Sequence, residues 1–124
     1  NTYDVISLEK CLGSGVKTEA AFYEAAAGIR RYSQDTKILF YWNVDTCYCD
    51  CYDITQTVLQ NSSMWLYDDS GNELYSGTTT RPHYDLTQPF VRNWWTQALV
   101  SIIQGAADRN LTIDGIFADG LCSW

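Results

Sequence analysis

The run K-I-L-F-Y-W-N-V at residues 37–44 limits the fold more than any other stretch of this chain. It is continuously apolar and aromatic, with no alternation. A strand with one wet face alternates apolar and polar residues, whereas a strand buried on both faces in a parallel sheet is apolar throughout. The run therefore reads as a central parallel strand. Parallel neighbours cannot be joined by a tight hairpin and need a crossover, usually a helix. The flanking sequence must then supply strands and helices in alternation.

It does so. Residues 3–9 (Y-D-V-I-S-L-E) read as a first strand, with Val5, Ile6 and Leu8 apolar enough for burial on both faces. Thr18 suits an N-cap and Glu19 the first turn of a helix running to about residue 32. Phe22, Ala25, Ala26 and Ile29 fall on one face of that helix. After the central strand, Asp53 suits the cap of a short helix to about residue 60. Residues 64–67 read as a third strand, 68–72 (D-D-S-G-N) as a turn, 73–75 as the returning hairpin arm, and 78–83 as a polar loop. A second long helix starts at Thr87, with Pro89 tolerated in its first turn. Phe90, Trp94, Ala98 and Ile102 form one apolar row on it, and Trp95, Leu99 and Ile103 the next. Gly105 and residues 108–110 end that helix, and residues 113–118 (I-D-G-I-F-A) form the last strand. The expected class is α/β, a single partial domain of parallel (β/α) units with right-handed crossovers.

A parallel sheet collects its strand ends on one side. Glu9, Asn43, Asp45, Asp68 and Asp119 all close or follow expected strands, so they should meet there. Asp119 leads this group, because Gly120 lets the backbone turn away and leaves the carboxylate open to a ligand. Capping the next helix or closing a turn is the competing role for Asp119. A second carboxylate, Asp45 or Glu9, would suit glycoside hydrolysis, in which one acid protonates the leaving oxygen and the other attacks the sugar or activates water. Such chemistry needs no cofactor. Asn43, Arg81 and His83 are candidate ligand contacts, and Tyr41, Trp42, Tyr48, Trp65 and Trp124 candidate stacking surfaces for a sugar. Trp94 and Trp95 are expected in the core.

The cysteines are Cys11, Cys47, Cys49, Cys51 and Cys122, and His83 is the only histidine. Zinc sites usually pair C-x-x-C with a second pair or with histidines, so disulfides are favoured over a metal. Cys11 or Cys122 is expected to bond a member of the 47–51 cluster, with one thiol left over. Two sequons, at Asn61 and Asn110, join the cysteines in favouring a secreted glycoprotein carrying N-glycans. The first residues carry no basic and apolar leader, so any signal peptide is expected to be already removed. The formal charge is -7 with no basic run, which argues against nucleic acid as a partner, and no apolar run is long enough to span a bilayer.

The series Y-D-V-I-S-L-E-K, I-L-F-Y-W-N-V-D, M-W-L-Y-D-D-S-G-N, Y-D-L-T-Q-P-F-V-R-N-W-W and I-D-G-I-F-A-D-G resembles a group of glycoside hydrolases with a TIM-barrel fold. In that group the order of these segments is more specific than any one of them. The resemblance implies that Asp119 is the acid at a barrel strand end, with Asn43, Asp45 and Arg92 as matching polar positions. Arg92 falls on a helix, where a structural role is expected. A full barrel takes roughly 250 residues, so the chain corresponds to about half of one. A fragment of a longer protein, a remainder not represented, and a half-barrel completed by other copies all stay open. Two functions follow. One is acid/base hydrolysis of a polysaccharide or oligosaccharide. The other is a non-catalytic glycoprotein that keeps the scaffold for glycan binding or homo-polymeric assembly. A cysteine redox role ranks third, because no C-x-x-C motif is present.

Overall fold

A computed structural model describes residues 3–13, 17–77 and 80–120. Strand β1 (Val5–Leu8), helix α1 (Thr18–Tyr32), strand β2 (Lys37–Asn43), helix α2 (Pro89–Ala107) and strand β3 (Gly115–Asp119) follow in order. Two short 3-10 turns, Ile54–Thr57 and Ser62–Met64, lie between β2 and α2. The three strands form one parallel sheet in the order β1-β2-β3. The 37–44 run is thus the central strand, as its pattern requires.

Register decides which side chains share a face. Ile6 pairs with Ile38, Leu8 with Phe40, Phe40 with Ile116 and Trp42 with Ala118. Side chains alternate along a strand, so these residues point one way. Of these, Leu8, Ile38, Phe40, Trp42 and Ile116 meet Phe22 and Ala26 of α1 and Ala98, Leu99 and Ile102 of α2 in one buried cluster. Both helices therefore lie on the same side of the sheet. Phe22, Ile38 and Phe40 are each 0% exposed, and each such side chain contributes about 1.5–3 kcal/mol by leaving water. The opposite face carries Val5, Ser7, Leu39, Tyr41, Asn43, Gly115, Phe117 and Asp119. Val5 and Phe117 remain 55% and 45% exposed there. The expectation that β1 is buried on both faces is corrected: it is an edge strand, with Val5 exposed and Ile6, Ser7 and Leu8 only half-buried.

The expected third strand at 64–67 does not join the sheet. β2 pairs with β3 directly, and Trp65 and Tyr67 make isolated antiparallel bridges to Tyr84 and Glu73. The reason lies in what those residues bury. Met64 and Trp65 pack with Cys47, Cys49, Val58, Tyr84 and Val91 in a second cluster beyond the end of β2. Their backbone is satisfied locally, with Leu66 N donating to His83 O and Leu74 N to Leu66 O. The 68–72 turn does form, because Asp68 Oδ1 accepts from Ser70 N and Asn72 N, each at 2.8 Å. Asp68 is thereby tied into its own turn and does not join the strand-end acids.

Other differences are local. Asp53 caps nothing; Glu19 reaches across instead and accepts from Asp53 N (3.1 Å) and Ile54 N (2.9 Å). Gly105 does not end α2, which runs on to Ala107. Its missing side chain lets the Tyr23 ring approach, and the Tyr23 hydroxyl donates to Ile102 O at 3.0 Å. Phe90 and Ile103 of the expected apolar rows are 44% and 43% exposed. Arg92 donates to Leu86 O (2.6 Å) and Thr87 O (2.8 Å), which closes the entry to α2.

The amino ends of the strands are held by one ionic knot. Arg30 donates to Thr36 O (2.6 Å), Thr112 O (3.0 Å) and Asp114 Oδ2 (2.6 Å). Asp114 also accepts from Ile38 N (2.9 Å) and pairs with Lys37 (3.2 Å). The Ile38 N–H bond is the leading cause that holds the Asp114 carboxyl below the usual aspartate range, with Lys37 and Arg30 adding to it. A carboxyl whose folded value lies below its unfolded one contributes stability above the unfolded value, and loses it as pH falls through the folded one. Asp114→Asn should therefore lower stability at pH 7 by about 1 kcal/mol, after allowance for solvent screening. It should also flatten the acid limb of the stability curve below about pH 4, and urea melts of both proteins across pH 2–7 read both effects.

Candidate functional site

At the carboxyl ends of the strands the backbone fixes a small polar platform. Asn43 and Asp119 are register partners on the face of the sheet opposite the helices. Val44 N donates to Asp119 O at 2.7 Å, so the pairing continues past the strand end. Tyr41 lies two residues before Asn43 and hence on the same face. Its hydroxyl donates to Asp119 Oδ2 at 2.6 Å, and Asn43 Nδ2 donates to the Tyr41 oxygen at 3.3 Å. Asn43 Oδ1 accepts from Asp45 N (3.0 Å) and Thr46 N (2.6 Å), which makes Asn43 the clasp of the turn after β2. Trp95 Nε1 holds the Asn43 carbonyl at 3.2 Å from the helix side.

Charge at the platform is balanced pairwise. Lys10 Nζ sits 4.3 Å from the Tyr41 ring centre and 5.1 Å from that of Tyr48, and bonds Glu9 at 2.9 Å. Arg81 lies 4.3 Å from the Tyr48 ring and pairs with Asp50 at 3.0 Å. His83 Nδ1 meets Asp45 Oδ2 at 2.8 Å. The Tyr41 hydrogen bond, then the Gly120 backbone N–H, hold the Asp119 carboxyl below the usual aspartate range, and Lys10 adds to the effect. Burial raises Tyr41, against the pull of Asn43 and Lys10. Burial works against the Lys10 charge, but Glu9 and Tyr41 outweigh it and leave Lys10 raised.

The structure brings together Glu9, Asn43, Asp45 and Asp119 at the ends of three parallel strands. Tyr41 is 1% exposed, so it meets Asp119 through its hydroxyl and offers no ring face. Trp42 is corrected to a core residue: it points to the helix side, 1% exposed, against Phe40, Tyr52 and Trp94. Trp65 is likewise buried, stacked on Tyr84. Tyr48 is the half-buried aromatic at the platform, between Lys10 and Arg81. Sequence reasoning passed over Lys10. Its position directly after a strand-end acid was the available signal.

The cysteines staple the same end. Cys11 is bonded to Cys51, which joins the loops after β1 and β2, and Cys47 is bonded to Cys49. The expected link from Cys11 into the 47–51 cluster is present, while Cys122 and Trp124 lie outside the described residues. Cys11, Asp50 and Cys51 place ligand-type atoms within 4.8 Å of one another, but both sulfurs belong to one disulfide and only the carboxylate stays available. Asn61 and Asn110 are both exposed, the first capping a 3-10 turn and the second at positive φ after α2.

Gly120 is required by this geometry twice over. Its φ is +83°, a region that costs other L-residues about 1–2 kcal/mol. A Cβ there would stand 2.8 Å from Asn43 Oδ1 and 2.9 Å from Nδ2. Gly120→Ala should destabilise the fold by about 2 kcal/mol and displace the Asn43 amide. Denaturant melts together with the Asn43 side-chain amide resonances check both.

Residues 30–123 match the family model described as hypothetical glycosyl hydrolase family 15. No curated protein matches the chain.

Proposed function

The chain belongs to hypothetical glycosyl hydrolase family 15, and from that premise we propose that it is a secreted carbohydrate-active protein that hydrolyses a glycosidic bond. The observation that carries the reading is the strand-end platform, where Asp119 stands on the sheet face opposite the helices, beside Tyr41, Asn43 and Lys10. Asp119 is the reacting carboxylate, and Asp45 or Glu9 supplies the second acid. Asn43, Arg81 and His83 contact the polysaccharide or oligosaccharide, and Tyr48 offers it an aromatic edge. The fold reading that goes with this is part of a TIM barrel. The face that carries Val5 and Phe117 is then an inner wall, covered by further (β/α) units or by another copy. Asp119→Asn should reduce the release of reducing ends from a panel of plant, fungal and bacterial polysaccharides at least about a hundredfold, with the near-ultraviolet circular dichroism unchanged. Retained turnover removes Asp119 from the reaction.

A second reading is a non-catalytic glycoprotein that binds glycans or assembles on this scaffold. It is favoured by the two disulfides gathered at the platform and by the exposed sequons. N-glycans would sit on Asn61 and Asn110. Protein from a secreting eukaryotic host should lose mass on enzymatic deglycosylation, and Asn61→Gln with Asn110→Gln should abolish that loss. Glycan binding by equilibrium dialysis, with no reducing ends released, would move the choice to this second reading.

A further inference from the structure

The hydrogen bonds around Asp119 run in one direction, and that direction assigns its chemical role. Asn43 is the starting point. Its Oδ1 accepts from two backbone N–H groups, Asp45 N at 3.0 Å and Thr46 N at 2.6 Å. A backbone N–H can only donate, so the amide cannot be flipped without losing both bonds. The Nδ2 group is therefore the one that faces Tyr41, and it donates to the phenol oxygen at 3.3 Å. A phenol oxygen engaged as an acceptor there keeps its own proton for the remaining partner, Asp119 Oδ2, at 2.6 Å. Tyr41 is 1% exposed, so water does not offer that hydroxyl an easy alternative. Asp119 sits at the receiving end of the chain, which suits a carboxylate with lone pairs and no proton. A neutral acid could carry its proton only on Oδ1, and its Oδ2 would then be a weaker acceptor for Tyr41 than a carboxylate oxygen.

Two further groups reinforce the direction. The Gly120 backbone N–H adds to the hold on the Asp119 carboxylate. Lys10 places its ammonium 4.3 Å from the Tyr41 ring centre, on the same platform. Glu9 and Asp45 are held differently: Glu9 is met by the adjacent Lys10, and Asp45 by His83 and, at 3.3 Å, by the Thr46 hydroxyl.

We propose that Asp119 works as the ionised member of the reacting pair, as nucleophile or as the base that activates water, and that Tyr41 is the positioning residue that keeps it so. This rests on the hydrolase reading above. The proton for the leaving oxygen then comes from a different group, because Asp119 has none to give. Tyr41 itself does not react; it acts through the carboxylate it holds.

The test is a pH titration of the protein labelled with carbon-13 at the aspartate carboxyls, followed by nuclear magnetic resonance, with Asp119→Asn identifying the resonance. Asp119 should titrate below the ordinary aspartate value of about 3.9. Tyr41→Phe keeps the ring and removes only the hydroxyl, and it should raise the carboxyl's proton affinity about tenfold. Lys10→Met, which alters no buried ring, should raise it by less. Asp119 titrating at or above the ordinary value, or standing unmoved in Tyr41→Phe, overturns the proposal. Turnover on the polysaccharide panel supplies the second arm. A rate that climbs with pH through the Asp119 titration, with the climb displaced upward in Tyr41→Phe, supports the ionised form as the working one. A rate that falls through it makes Asp119 the proton donor and overturns the assignment. A chain that titrates as expected but cleaves nothing overturns the hydrolase premise and leaves the hold of Tyr41 on Asp119 as a measured fact.

Discussion

The ladder between β2 and β3 is the constraint on which the rest depends. It places Asn43 opposite Asp119 and Tyr41 opposite Phe117. Because side chains in a strand alternate with a period of two, a slip of one residue would send Tyr41 and Asn43 into the helix layer and Trp42 out to the platform. The apolar alternates Ile38, Phe40 and Trp42 forbid that slip by their burial. The same packing that holds the helices to the sheet thus fixes the polar platform on its other side. Fold and site are two faces of one register.

The two ends of the sheet are secured by different means. At the amino ends, Arg30 and Asp114 gather α1, β2 and β3 through a dense set of charged hydrogen bonds. At the carboxyl ends, a covalent link between Cys11 and Cys51 ties the first two loops, and the pairing of Arg81 with Asp50 draws the 64–84 excursion down onto them. The first knot is ionic throughout. The second is covalent at its centre and ionic only at its margin.

Much of this was legible in the sequence, for identifiable reasons. The uninterrupted run of residues 37–44 announced a central parallel strand, and the helical spacing of Phe22, Ala26 and Ile29 announced its cover. Once the strands are parallel, the meeting of Glu9, Asn43, Asp45 and Asp119 follows. The 64–67 segment misled because its composition suits a strand, while its actual pairing was set by Tyr84 and His83, far along the chain. The two neighbours Tyr41 and Trp42 could not be told apart by residue type. Period two separates them, sending one to the platform and the other to the core, but only once register says which face is which. The part of Asn43 as a clasp was hidden for a related reason: it depends on backbone groups two and three residues on, which carry no residue signature.

Tyr48 stands between the bonded residues Cys47 and Cys49. A covalent ring this small removes most of the torsional choices its middle residue would have in an open loop. Lys10 and Arg81 then steady the aromatic ring from the side chains. A surface prepared in this way gives up little freedom when another molecule settles on it, so more of the contact energy survives as affinity. The cysteine cluster accordingly does more than fasten loops: it makes one tyrosine at the edge of the platform a rigid tile.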